Sequence, residues 1–308
     1  MTKASEDLKS RTNSNDLVND NNKIDSPIIW SDVHVHLQDN RFGSDLDIVF
    51  NRAEEKNVRR MICSATSPAD WRRVEQLGQK RPQLLTTYGI HPWFLRGING
   101  DWEQYLKSML FRVPRSGFCP AVGEIGLDFA MREKDESLQE DFFRRQLHMA
   151  NQFQVPVIIH SVQATDRILS ILSEFPRFPT LLFHGFVGTR QQIDKIIELG
   201  GYFSFSFQNI KPNHKKAIET IIQTPLDRIL LESDGPLLFP SKAVFGSNPP
   251  LMLEELGNDG FLLNEPALIP VVAAEIQKLK NVPWEIFCQH IQNNEKVFFA
   301  LWKKVSFS

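Results

Sequence analysis

Five of the eight histidines in this 308-residue chain, with two acidic residues, stand at positions from which they could share a cation. Asp32-Val33-His34-Val35-His36 sets two imidazoles two residues apart. If that segment is a strand, side-chain alternation turns His34 and His36 to one side, together with Asp32. Two neutral imidazole nitrogens on one side can converge on a metal at about 2 Å. Five single residues follow in similar surroundings. They are His91 in Gly89-Ile90-His91-Pro92, Glu124 in Gly123-Glu124-Ile125-Gly126-Leu127-Asp128, His160 in Ile158-Ile159-His160-Ser161, His184 in Phe183-His184-Gly185-Phe186, and Asp234 in Glu232-Ser233-Asp234-Gly235-Pro236. Singly, each could be a hydrogen-bonded core histidine or a capping aspartate. Gathered together they call for a cation, because burying several carboxylates and imidazoles without one is costly.

The elements that must gather them are legible as apolar runs. Strands are predicted over Ile28–Val35, Val58–Ser64, Leu84–Ile90, Pro120–Ile125, Val155–Ile159, Thr180–Phe183, Gly201–Phe205 and Arg228–Glu232. Between them, Ser67-Pro68 opens a helix over 67–80, a cap followed by proline at the first helical position. Residues 137–153 place Leu138, Phe142, Leu147 and Ala150 at helical spacing. Thr189 can cap a helix over 190–199 that stops at Gly200-Gly201. Helices over 264–280 and 283–302 close the chain. Eight strands alternating with helices predict parallel pairing through right-handed crossovers, and eight is the number that closes a TIM barrel. The rival, an open doubly wound sheet, is weakened because no glycine-rich phosphate loop follows the first strand. In a barrel these histidines and acids all reach the carboxyl ends of the strands, the face where such folds place their chemistry.

Composition narrows the class. A net charge of −2 with 23% charged residues gives no bulk attraction to nucleic acid. Bound cations can still supply positive charge where phosphates sit. Cys63, Cys119 and Cys288 are scattered and odd in number, as expected of reduced thiols in a cytoplasmic protein. No apolar run reaches membrane-spanning length, so no membrane partner is expected. Residues 1–26 are rich in Asn, Asp and Ser and read as a disordered polar tail; residues 27–305 read as a single barrel domain.

The ordered series of motifs, running from about Ile28 to Phe299, resembles the TatD-related metal-dependent hydrolases, a family of deoxyribonucleases. The resemblance implies a barrel of the amidohydrolase type with two divalent ions, whether magnesium, manganese or zinc. It implies that His34, His36 and Asp234 hold one ion, that His160 and His184 hold the other, and that Glu124 bridges them. His91, in the family's Gly-x-His-Pro motif, is then a phosphate or substrate contact. One departure stands out. The family often has arginine after its fifth-strand His-Ser, and here Val162 stands there. Lys211 and Arg190, both after later strands, are the candidate substitutes.

The chemistry so implied is hydrolysis of a phosphodiester in DNA, exonuclease-like, by water activated at the metals, with Asp234 relaying the proton and Glu124 holding the pair together. Two alternatives keep the same metals. An amide, ester or acylated substrate is one, favoured by Val162; a metal-binding scaffold without turnover is the other.

Overall fold

Each apolar run becomes a strand of one sheet. The computed structural model describes residues 28–43, 46–98, 100–112, 116–133, 135–236 and 264–302. Its eight strands are parallel and adjacent in chain order. They are β1 (Trp30–Val35), β2 (Val58–Ser64), β3 (Leu84–Tyr88), β4 (Ala121–Asp128), β5 (Val157–Val162), β6 (Leu181–Phe183), β7 (Gly201–Phe205) and β8 (Ile229–Leu231). The helices between them are α1 (Leu46–Glu55), α2 (Pro68–Lys80), α3 (Trp102–Leu110), α4 (Glu136–Phe153), α5 (Thr165–Leu172), α6 (Arg190–Glu198) and α7 (Lys215–Gln223). After β8 come α8 (Ile269–Lys280) and α9 (Trp284–Ala300). The carboxyl end of the first strand meets the segment that follows the last: Asp234 N–H donates to the His34 carbonyl at 2.9 Å and His36 N–H to the Gly235 carbonyl at 2.8 Å. The result is the TIM barrel expected from the alternation. The tail expected over 1–26 lies outside the described residues. None of the described helices is long and apolar enough to cross a membrane.

The predicted caps form. Ser67 precedes Pro68 at the start of α2. Thr189 Oγ1 accepts from Gln192 N–H while the Gln192 side chain accepts from Thr189 N–H, and Gly200, at φ +79°, lets the chain leave α6. The expected helix over 264–280 begins later, because Glu265 is extended and both it and Asn264 hold other elements. Asn264 Nδ2 donates to the Ser233 carbonyl, and Arg52 of α1 pairs with Glu265 through Nε at 2.7 Å.

The lumen explains why the site is polar above an apolar floor. Val33, Ile62, Leu85, Ala121, Ile158, Leu182, Tyr202 and Leu230, one from each strand, pack together against Phe298 and Phe299 at the end of α9 and Trp302 just past it. Side chains two residues further along a strand face the same way. From six of the strands that step gives Ser64, Thr87, His160, His184, Ser204 and Glu232, all buried. The intervening residues, such as Cys63, Ile159, Phe183, Phe203 and Leu231, pack outward with the helices.

Two strands break this period. The β1–β2 register shifts between Asp32 and Val35, and the β4–β5 register between Val122 and Ile125. After Val33 in the floor, it is therefore His34 that faces the lumen, while Val35 joins the outer core. In β4, Val122 and Ile125 both pack outward and Glu124 turns in. Such irregularities re-aim side chains beside functional sites.

β4 and β5 also outlast their predicted ends. Gly126, Leu127 and Asp128 pair with His160, Ser161 and Val162, so Glu124 and His160 sit within strands rather than at their ends. This extension needs Gly126. Its φ is +151°, and a Cβ there would run into the His160 carbonyl.

Candidate metal centre

The structure brings the seven sequence-predicted site residues together, with Glu124 at the middle of the other six. Glu124 Oε2 lies 3.3 Å from His34 Nε2 and 3.5 Å from His36 Nε2. Its other oxygen, Oε1, lies 2.6 Å from His184 Nε2, 2.9 Å from His160 Nδ1 and 3.3 Å from His91 Nε2. Asp234 Oδ1 stands 3.9 Å from His34 Nε2 and 3.8 Å from His36 Nε2. Its φ is +53°, a left-handed conformation that aspartate tolerates better than most residues.

The hydrogen bonds assign a job to each ring. His36 Nδ1 lies 2.7 Å from the Ser64 carbonyl, which can only accept, so its proton is on Nδ1 and Nε2 presents a lone pair. His34 Nδ1 lies 3.0 Å from Ser64 Oγ, and its Nε2 is 3.2 Å from His36 Nε2. Ligand atoms sharing one ion at about 2.1 Å sit roughly 3.0–3.4 Å apart, so this spacing is what an ion would impose. His160 Nε2 faces Asp128 Oδ2 at 3.2 Å, an acceptor to which Nε2–H donates. That leaves Nδ1 aimed at Glu124, where a lone pair would meet a carboxylate unless a proton or a cation lies between. His184 Nε2 lies nearest of all to Glu124, and its buried Nδ1 has no hydrogen-bond partner, so no neighbour fixes its tautomer and Nε2 can turn either a proton to Glu124 or a lone pair to a cation. The donor set thus fits divalent cations on both sides of Glu124.

His91 differs. Its Nδ1 accepts from Trp93 N–H at 3.1 Å, so the proton resides on Nε2 and the ring is a donor toward Glu124. Burial lowers its pKa to about 4 and keeps it neutral. This is the tautomer of a hydrogen-bond donor to an anion rather than of a metal ligand.

Electrostatics divide the rings again. Burial, followed by the charge of His184, holds His34 well below the usual histidine range. Burial pulls His160 and His184 the same way, but the carboxylates beside them win. Asp128 and Glu124 raise His160, and Glu124 raises His184 to about 10. Without a cation the carboxylates thus favour the protonated form of both rings, and a binding cation competes with those protons. Burial works against the Glu124 carboxylate, yet the rings around it, His184 foremost, hold its pKa well below the usual range.

Several supporting residues escape a sequence reading. Ser64 orients both β1 imidazoles, and Gln38 Nε2 donates to the same Ser64 carbonyl at 2.7 Å. Asp128 orients His160. Glu232 accepts from Gly185 N–H at 2.9 Å and from Ser204 Oγ, which fixes the loop carrying His184. A signal for Ser64 and Glu232 was available: each lies two residues beyond an apolar residue of the lumen floor. Asp32 does not touch the rings. Its carboxylate accepts from Ser233 N–H at 3.0 Å and from Ser233 Oγ at 2.6 Å, tying β1 to the turn that carries Asp234. The suggested cations are also elsewhere. Arg190, first in α6, reaches along its own helix to Asp194 at 2.9 Å, and Lys211 bonds Gln208. Arg41 and Arg73 are the basic residues that line the cleft of about 530 Å³ over the centre.

A parallel eight-stranded barrel whose lumen ends in converging imidazoles and carboxylates defines a metal-dependent hydrolase. Within that class the TatD related DNase family matches residues 31–300, and the chain belongs to it. It is 25% identical over 275 residues to the 3'-5' ssDNA/RNA exonuclease TatD of Pantoea ananatis (strain LMG 20103), covering 88% of this chain and 99% of that one. It is likewise 25% identical to the uncharacterized metal-dependent hydrolase YabD of Bacillus subtilis (strain 168), covering 88% and 98%. Among solved structures it resembles YJJV, a TatD homolog from Escherichia coli K12, with a TM-score of 0.74 and 26% identity over 88% of this chain and 98% of that one.

Proposed function

We propose that the chain hydrolyses phosphodiester bonds in single-stranded DNA or RNA, releasing nucleotides from the 3' end, with two divalent cations at the centre. The observation that carries this reading is Glu124, which turns one oxygen to the β1 imidazoles and the other to His160 and His184. In this reading His34, His36 and Asp234 would hold one cation and His160 and His184 the other, with Glu124 shared between them. When bound, such a pair offsets charge on the entering and leaving oxygens of a phosphoryl displacement. Four imidazoles favour manganese or zinc over magnesium, which prefers oxygen ligands. Asp234 takes the proton of the attacking water at its carboxylate and returns it to the departing oxygen. His91 donates from Nε2 to a phosphate oxygen, which gives the Gly-x-His-Pro histidine its role as a substrate contact. The names of the relatives support nucleic acid as the substrate class.

The test is digestion of single-stranded DNA by protein stripped with EDTA and reloaded separately with manganese, zinc or magnesium. Mononucleotide release is expected with manganese or zinc and none after stripping, with Glu124→Gln as the inactive control. Metal-dependent turnover of an ester or amide panel, with every DNA strand left intact, would contradict the reading.

A further inference from the structure

Beside the cleft over the metal centre lies a second one of about 660 Å³, and Trp93 and His160 line both. Trp93 is 56% exposed, unusual for so large an aromatic side chain. It is nevertheless held in place. Its Nε1–H donates to Asp128 Oδ2 at 2.7 Å, and its ring meets His91 edge-on, the centroids 4.9 Å apart. A rigid aromatic plane therefore stands at the mouth of the centre, its centroid 6.2 Å from that of His160. The second cleft continues from it over Leu95, Met131 and Val162, and its size falls within the roughly 300–1,000 Å³ of small-ligand sites. Most of its charges are already engaged. Asp128 is bonded to Trp93 and His160, Arg96 pairs with Glu133 at 2.9 Å, and Asp135 accepts from Leu138 N–H at the start of α4. Among the described residues no carboxylate is matched to Arg132, which also lines the cleft.

We propose that this second cleft is a nucleobase subsite, in which a base of the strand stacks on Trp93 while its phosphate lies at the metal centre and Arg132 faces the neighbouring backbone. The subsite rests on the phosphodiester reading above and adds where the base goes. Val162 belongs to it: a small apolar side chain there keeps the slot open for a flat ring. Stacking on an aromatic plane tolerates any base, because every base presents a π face.

The experiment compares wild type, Trp93→Ala and Trp93→Phe on a single-stranded oligonucleotide and on versions carrying one abasic residue at each of the three 3'-terminal positions. KM is read from turnover, and Kd from fluorescence anisotropy of a labelled strand in EDTA, where changes in metal occupancy through Asp128 do not enter. For wild type, one abasic position raises both constants by about tenfold. Trp93→Ala raises both by about tenfold on the intact strand and shows no further penalty at that position. Trp93→Phe keeps the wild-type constants and changes only kcat, because the bond to Asp128 is lost while the ring remains. The proposal is overturned if Trp93→Ala binds and cleaves as wild type does, or if it weakens intact and abasic strands equally at every position. A wild type that cleaves no single strand with any metal removes the phosphodiester reading, and the subsite with it, a failure visible before any variant is compared.

Discussion

Asp234→Asn is expected to lower kcat by about 10²–10⁴-fold, the range for loss of a positioned general base, while leaving the fold intact. Among the described carboxylates of the centre, Asp234 has the most exposed side chain, 14% against 5% for Asp128, 3% for Glu124 and 0% for Glu232. It can therefore reach a water attacking the substrate, whereas Glu124 is enclosed by rings. Asparagine keeps the shape and the one oxygen that faces His34 and His36. It also accepts the left-handed backbone at φ +53°. The backbone bond from Asp234 N–H to the His34 carbonyl, which helps close the barrel, does not depend on the side chain. Thermal unfolding should accordingly stay within about 2 °C of wild type. Steady-state kinetics with a melting curve decide the matter, and near-wild-type turnover in the variant would sink the role given to Asp234.

Glu124→Gln should have the larger effect on the metals: about one ion lost per chain and a fall in kcat of about 10³-fold or more. The carboxylate has one oxygen toward each set of nitrogens, and an amide can offer an acceptor to one set only. Its NH₂ would then face either the His34 and His36 pair or the His160 and His184 pair. Glutamine fills the same volume, so a loss cannot be ascribed to a cavity. Metal content by mass spectrometry, measured after dialysis against manganese, is the check. An unchanged ratio of metal to protein counts against Glu124 as the bridge.

The placement of the strands was legible because parallel strands buried on both faces read as continuous apolar runs. The ligand positions were legible because each stands at or just past such a run, where a barrel opens on one face. What the sequence hid is long-range register. Nothing local to Asp32–Val35 or Val122–Ile125 announces the shifts that turn His34 and Glu124 inward; those depend on neighbours some thirty residues away in the chain. For the same reason β4 was expected to stop at Ile125, although pairing with β5 carries it to Asp128. Supporting residues were the hardest to see. Asp128 acts by the direction of its hydrogen bonds to His160 and Trp93, and neither its residue type nor its spacing distinguishes it from other buried polar groups. Lys211 and Arg190 were reasonable candidates by loop position, but their side chains reach Gln208 and Asp194 instead.

The central claim is that six side chains, His34, His36, Glu124, His160, His184 and Asp234, hold two divalent cations. The most direct measurement is anomalous diffraction from crystals of the chain grown with manganese. Two peaks are predicted, one among His34, His36 and Asp234 and the other beside His160 and His184, with Glu124 in contact with both. Manganese bound elsewhere, or no peak within reach of Glu124, would contradict the account.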